Sequence, residues 1–470
     1  DVYKRQHQAY PLEQVELSVL FDLILMRLCM SVCHSAHQSR MAPDNAYLQI
    51  SEKPAWTLLA QLSKIHPRMA EYHFRDACRI PPVPHAEKII GWIKEKKDRF
   101  GSLVDPAPGM DSCMVIDLSV ESPLVNDIVI QNGAADMSRA IFGQMRQKGA
   151  AIGIGCYDEA RAIYISDAYR QQRDQMPEMR TIHMGIDLHM LPGSGIRAFY
   201  DGEVHSFMDN ASRYDYGPTI ILSHEIGDGL TFYTLYGHLS QESLENLSVG
   251  QKISRGELFA EIGDARVNGG WPPHLHFQII TDMLGETGNY NGVAPPSQRR
   301  VWKALSPDPN LILGIPGSLF HEQGRSRTEI LKYRNEHIGK NYSISYNKPL
   351  KIVRGRGQYL MDQDGQAYLD GVNNVTHVGH CHPEVVAAGQ RQMGVLNTNT
   401  RYLHDHIITY SQKLLSKFPE PLRVCFFVCT GSEANELAFR LARTYTGQKD
   451  IITVAGAYHG NTNLLVDISP

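Results

Sequence analysis

Five side chains from three short stretches constrain this chain more than any other feature. Residues 181–188 supply His183 and Asp187 at i and i+4, Tyr236-Gly237-His238-Leu239 supplies a third, and His274-Leu275-His276 supplies two more. Imidazole nitrogens and carboxylate oxygens suit zinc, and a catalytic zinc site takes three protein ligands and keeps a fourth position open. The trio expected to hold the ion is His183, Asp187 and His276. His238 and His274 are then free for proton and charge work. The chain has 21 histidines, so a single one carries little information, whereas the ordered set does. His189, His205 and His224 fall outside the pattern and are expected to be structural.

At these residues the sequence resembles the lysostaphin-type zinc endopeptidases. The framing agrees: Gly185-Ile186-Asp187, Asp201-Gly202-Glu203-Val204, Val249-Gly250 and Ile262-Gly263 follow in the family's order. The resemblance covers residues 180–282. It implies that His183, Asp187 and His276 bind zinc and that His238 and His274 stabilise a developing oxyanion and shuttle a proton. The implied reaction is hydrolysis of a peptide bond by zinc-activated water, with a peptide as substrate.

The surrounding pattern is that of a rigid β scaffold. Residues 196–207 alternate, 218–224 and 230–236 flank Gly227-Asp228-Gly229 as a hairpin, and 258–263 and 275–280 add strands. Residues 110–180 mix strand-like runs at 113–120 and 150–156 with a helical run at 136–148, and no chemistry is assigned to them. Proline clusters set the boundaries, at Pro81-Pro82-Val83-Pro84, at Asp105-Pro106-Ala107-Pro108-Gly109, and at 305–316. A length of 470 residues allows about three domains. The expected layout is a helical segment 1–82, a linker helix 83–109 with an Ile89-Ile90-Ile93 stripe, a peptidase-like domain 110–314, and a further domain 315–470.

Residues 1–80 read as helices. Residues 15–33 are largely apolar but include Glu16, Asp22 and Arg27, which favours a buried helix over a membrane span. The long helix, Pro43-Asp44-Asn45 with Tyr47-Leu48, and Ser51-Glu52-Lys53-Pro54-Ala55-Trp56 are similar to the C-terminal tail of aminoglycoside-phosphotransferase or choline-kinase-like enzymes. The resemblance implies that the kinase aspartates lie upstream, so this segment by itself transfers no phosphate. Residues 1–6 read as a scar rather than a natural start.

The last third changes character. Gly357-Gln358-Tyr359-Leu360 and the run 364–370 read as a hairpin, Gly379-His380-Cys381-His382-Pro383 turns into a helix at 384–396, and 424–428 and 450–455 read as buried strands. Between those two strands, Thr430-Gly431-Ser432-Glu433 opens a helix. Backbone N–H groups and the helix dipole make such a start an anion site. The second strand leads to Ala457-Tyr458-His459-Gly460. Over residues 325–470 this set resembles the class-III, fold-type-I enzymes that use pyridoxal phosphate. Asn373-Asn374-Val375 with the His377–Pro383 stretch, and the run 396–405, bring it nearest to the ethanolamine-phosphate phospho-lyase branch. The resemblance implies that Gly431 and Ser432 cradle the cofactor phosphate and that Tyr458 stacks on its ring beside His459. It also implies a homodimer and an amine or phosphorylated amino-alcohol substrate. The lysine that holds the cofactor and the aspartate that pairs its ring nitrogen lie beyond the Tyr-His-Gly motif in that family. Neither falls before Pro470, so a truncated module that binds the cofactor poorly is expected.

The fold expected is therefore multidomain α+β: a helical N-terminal segment, an antiparallel β-rich lysostaphin-like domain, and a partial fold-type-I α/β aminotransferase domain. A formal net charge of −4 offers no basic field for nucleic acid or anionic membrane. Eight scattered cysteines without framework spacing point to reduced thiols in the cytoplasm. The function expected is a multi-enzyme fragment with a peptidase-like and an aminotransferase or phospho-lyase module. The alternative is a non-catalytic peptidase-fold scaffold linking a kinase to the pyridoxal-phosphate enzyme.

Overall fold

The computed structural model describes residues 7–45, 47, 50, 52–125, 134–164, 169–173, 176–320, 324–344, 346–372 and 377–469. The motif residues 1–6, Leu48, Ser51 and Asn373-Asn374-Val375 lie outside them. The chain divides into two compact units, Asp1–Ala387 and Ala388–Pro470.

The first unit is built on a sheet that has eight strands among the described residues. In chain order these are β1 (Cys113–Val115), β2 (Ile152–Gly155), β3 (Ile186–His189), β4 (Gly202–Asn210), β5 (Gly217–Gly227), β6 (Leu230–Gly237), β7 (Lys252–Ile253) and β8 (Leu275–Ile280). Their spatial order is β1-β2-β3-β8-β6-β5-β4-β7. Only the β1–β2 pair is parallel among these described strands. The expected hairpin is the β5–β6 pair. It turns through Gly227, Asp228 and Gly229, all with positive φ, as a tight reversal between right-twisted strands needs.

Successive side chains of a strand face opposite sides of the sheet, and this period separates core from chemistry. Ile186 and Leu188 of β3, with Leu275, Phe277 and Ile279 of β8, enter one apolar core together with Ile220, Leu222, Phe232 and Tyr236. Asp187 and His189, and His276 and Gln278, therefore share the other face. Ile221, Leu235 and Ile280 join a second core on that side, with Trp302 and Leu305. Every residue of β8 is buried, as befits a central strand covered on both faces.

The helix Ala86–Lys96 is bound into this body. Ile89 and Ile93 are fully buried in the first core, beside Phe199 and Phe232. The hairpin expected at 357–370 forms as three antiparallel strands, Ile352–Arg356, Tyr359–Asp362 and Ala367–Leu369. It rests on the β body. Met361 is buried in the second core, the Arg354 guanidinium donates to the Val120 and Ser122 carbonyls at 2.7 and 2.5 Å, and Thr181 Oγ1 donates to the Gly365 carbonyl at 2.9 Å.

Two expectations fail. The helix over 15–33 exists, within Gln14–Met41, but it is buried only along Leu17, Phe21, Val32 and Ser35, while Val15 and Met26 stand 63% and 54% exposed. Its apolar residues run all round the helix, and packing covers one stripe. No helix among the described residues is long and apolar enough to cross a membrane. Residues 424–428 and 450–455, in the second unit, form no strand. Val424 and Ile452 are 75% and 101% exposed. A strand is held by cross-strand neighbours, and these runs have none among the described residues. Truncating Phe277 to alanine is expected to lower the unfolding free energy of the first unit by about 3–5 kcal/mol, while Leu191→Ala, at an exposed site, should change it by less than about 0.5 kcal/mol. Denaturant titration of both variants measures the difference.

Candidate metal centre

The centre follows from strand register. β3 and β8 pair so that Asp187 lies directly opposite His276. His183 ends the short strand Ile182–His183, paired with Val293–Ala294, one turn of chain before β3. Gly185 lies between them. A Cβ there would stand 2.5 Å from His276 Cε1, so only glycine lets the imidazole lie across this backbone. His238 follows β6 with φ +62°, a left-handed conformation uncommon for a non-glycine residue. Backbone bonds from His238 to Tyr216 and from Gly263 to His238 fix it.

The three expected ligands meet. His183 Nε2 lies 3.0 Å from His276 Nδ1 and 3.1 Å from Asp187 Oδ1, and His276 Nδ1 lies 3.0 Å from the same oxygen. The edge of a zinc tetrahedron with bonds of ~2.0–2.1 Å is about 3.3 Å, so the triangle is nearly the right size. Protonation supplies a sharper test. His183 Nδ1 must donate to the Cys156 carbonyl at 2.8 Å, and His276 Nε2 donates to Gln278 Oε1 at 3.1 Å. The Gln278 amide is itself fixed, its nitrogen donating to the Asn291 carbonyl and Ser306 Oγ. In the neutral rings the two facing nitrogens therefore carry lone pairs. Two lone pairs and a carboxylate oxygen point at one another with no proton between them, which a cation resolves.

The electrostatics favour the deprotonated forms of His183 and Asp187. Burial, aided by the Arg161 charge, lowers the His183 pKa to about 4. Burial would raise Asp187, but its contacts with the His183 ring and the Arg161 guanidinium outweigh that and hold the carboxyl well below its usual range. Metal ligands must be neutral imidazole and carboxylate, and both conditions hold at pH 7. Among the described residues this trio is the group of His, Cys, Asp or Glu with ligand atoms close enough to share one ion.

The other two histidines stand beside it. His274 Nδ1 donates to the Pro272 carbonyl at 2.6 Å and His238 Nδ1 to the Asn268 carbonyl at 2.9 Å, leaving each Nε2 with a lone pair. Their rings are 4.2 Å apart, and His274 Nε2 is 3.7 Å from Asp187 Oδ1. Burial drives both down, His274 to about 3. His189, set aside as structural, in fact lines the same cleft, 5.0 Å ring to ring from His274. His224 does serve the framework, bonded to the Asp201 carbonyl and to Thr234 Oγ1. The cleft holds about 270 Å³, and Tyr164, Tyr169, Tyr214, Trp271 and Arg213 wall it.

Sequence reasoning missed Gln278, Arg161 and Glu159. Gln278 had a signal, because His274, His276 and Gln278 alternate along one strand face. Arg161 and Glu159 had none, being carried to the site by the backbone bonds Arg161 N to Thr181 O and His183 N to Glu159 O.

The second unit gathers the other candidates around the helix Gly431–Thr446, whose start is capped by Thr430 Oγ1 accepting from Glu433 N–H at 3.1 Å. Ser432 Oγ lies 2.9 Å from Asn461 Oδ1, and Asn435 Nδ2 donates to the His459 carbonyl at 2.7 Å. Gly431, Ser432 and His459 thus share one locus. No atom would obstruct a Cβ on Gly431, so the helix start is open to a phosphate. Tyr458 is 78% exposed.

Comparison with known proteins follows the same division. Residues 181–290 match the family model of peptidase family M23, and residues 342–469 match that of aminotransferase class III. The chain is 56% identical over 146 residues to the Drosophila melanogaster protein alanine–glyoxylate aminotransferase 2-like, across 31% of this chain and 30% of that one. It is 40% identical over 156 residues to Caenorhabditis elegans ethanolamine-phosphate phospho-lyase homolog 1, across 33% of each. The catalytic domain of lysostaphin from Staphylococcus simulans is 24% identical, with 26% of this chain and 80% of that one covered and a TM-score of 0.19. The chain spans about a third of the length of the two curated relatives. One polypeptide therefore carries a segment that matches the M23 peptidase family model, followed by a segment that matches the class-III aminotransferase model.

Proposed function

We propose that the first unit is a zinc-dependent endopeptidase whose ion is held by His183, Asp187 and His276. The observation that carries this reading is the convergence of two imidazole lone pairs and one carboxylate oxygen on a single point. A zinc ion there supplies a Lewis acid and lowers the pKa of bound water toward about 7. The chain's own groups do the rest. Gln278 and the Cys156 carbonyl fix the ring tautomers. Of His238 Nε2 and His274 Nε2, both unprotonated at rest, one would take the proton that the attacking water gives up as its oxygen bonds to the amide carbon, and would return it to the amine nitrogen as the C–N bond breaks. While it holds that proton, the ring would face the charge that develops on the carbonyl oxygen. The aromatic walls hold an extended peptide and exclude water around it.

The class-III segment, in the same reading, contributes to a pyridoxal-phosphate enzyme acting on an amine or a phosphorylated amino alcohol. Gly431 and Ser432 would hold the cofactor phosphate, with Tyr458 and His459 beside its ring. The cofactor supplies an electron sink for cleavage at the amine carbon. The name of the C. elegans relative favours a phosphorylated amino alcohol. In the protein as it occurs, this activity would be homodimeric and would sit beside a kinase-like N-terminal module. Eight free cysteines fit a reducing, cytoplasmic setting.

Zinc analysis of the purified chain should give one ion per polypeptide, and His183→Ala, Asp187→Ala or His276→Ala should each lower occupancy at least tenfold. Metal content unchanged by His183→Ala would instead favour the scaffold. His238→Ala should keep the ion and slow hydrolysis of a reporter peptide by about 10²–10⁴-fold, whereas an unimpaired rate would remove His238 from the chemistry. Pyridoxal phosphate should bind at least about tenfold more tightly than pyridoxal, and Ser432→Ala should erase most of that difference. Equal affinity for the two forms would contradict the phosphate cradle.

A further inference from the structure

The two oxygens of Asp187 face different partners. Oδ1 closes the ligand triangle, while Oδ2 accepts from Arg161 Nη1 at 2.7 Å. Arg161 is 1% exposed, and its whole guanidinium is engaged. Nε donates to Glu159 Oε2 at 2.7 Å, Nη1 also donates to the Tyr164 hydroxyl at 3.0 Å, and Nη2 reaches the Cys156 carbonyl at 3.4 Å. That carbonyl is the one that fixes the His183 tautomer. Glu159 is likewise buried, and its Oε1 accepts from Leu118 N–H at 3.3 Å. Space is made by Gly155, opposite Asp187 in the β2–β3 pair. A Cβ there would stand 2.7 Å from Arg161 Nη2.

We infer that Arg161, itself anchored by Glu159, is a positioning residue that makes Asp187 a one-oxygen ligand and so keeps the fourth coordination position open. This deepens the zinc reading and rests on it. A carboxylate is free to bind zinc through one oxygen or through both. The second mode would occupy the vertex that a catalytic site leaves vacant. A guanidinium that already donates to Oδ2 through Nη1 opposes the swing, and the Glu159 carboxyl, bonded to its Nε, anchors it from the far side. Partners of this kind behind a metal ligand commonly change metal affinity by 10- to 100-fold. The guanidinium also ties two of the three ligands to one group, Asp187 directly and His183 through the Cys156 carbonyl. Because the Glu159–Arg161 stretch is bonded to residues 181–183 by backbone hydrogen bonds, the guanidinium and the ligands move together.

Cobalt(II) substitution tests this without recourse to turnover. The full chain is loaded with cobalt, its visible spectrum recorded, and its metal affinity measured by competition with a chelator, for wild type and for R161M, R161K and E159Q. Wild type should give the intense bands of a four-coordinate ion. R161M should bind 10- to 100-fold more weakly, with weaker bands as Asp187 turns bidentate and the coordination number rises. R161K should recover part of the affinity through its charge but not the wild-type spectrum. E159Q should fall between wild type and R161M. Wild-type affinity and spectrum in a folded R161M would overturn the proposal. If R161M does not fold, the same result in both R161K and E159Q would overturn it. A wild-type chain that takes up no metal would sink the zinc reading and this inference together, a failure distinct from one confined to the variants.

Discussion

The pairing of β3 with β8 is the constraint on which the site depends. It sets Asp187 opposite His276 and, through the two-residue period, sends Ile186, Leu188, Phe277 and Ile279 into the core behind them. A shift of one residue in this register would exchange the two faces, sending Asp187 and His276 into the first core and its apolar side chains toward the cleft. Core burial on one face therefore holds the ligand geometry on the other. A metal would not need to organise this site, since the strand pairing places Asp187 opposite His276 and Gln278 on the same face.

Charge is handled in the same economical way. Five imidazoles line the cleft around Asp187, and burial lowers the pKa of His183, His189, His238 and His274. The buried Arg161 guanidinium lies between Asp187 and Glu159, and burial lifts the Glu159 pKa to about 7 against the pull of that arginine. An uncompensated buried charge would be costly. Here the buried guanidinium faces two carboxyl groups, Asp187 and Glu159.

Much of this was legible in the sequence, for a physical reason. The His183-x3-Asp187 and His274-x-His276 spacings are short-range, and local spacing survives folding. The β5–β6 hairpin was legible because Gly227-Asp228-Gly229 can adopt the positive φ that the turn needs. What was not legible depends on contacts distant in sequence. Arg161 reaches Asp187 only because a bridge brings residues 159–161 beside 181–183. Residues 424–428 look like a strand by composition, but strand formation is decided by neighbours, and none pair with them among the described residues. The hairpin Ile352–Leu369 belongs by family match to the aminotransferase segment, yet it is packed on the peptidase-like body through Met361, Arg354 and the Gly365 turn. The start of the class-III match and the M23 match thus lie in one compact unit.

X-ray absorption at the zinc K edge of the metal-loaded chain tests the central claim most directly. The account predicts a first shell of nitrogen and oxygen at ~2.0–2.1 Å with the multiple-scattering signature of two imidazoles. A shell containing sulfur at about 2.3 Å, or one without imidazole, would contradict it.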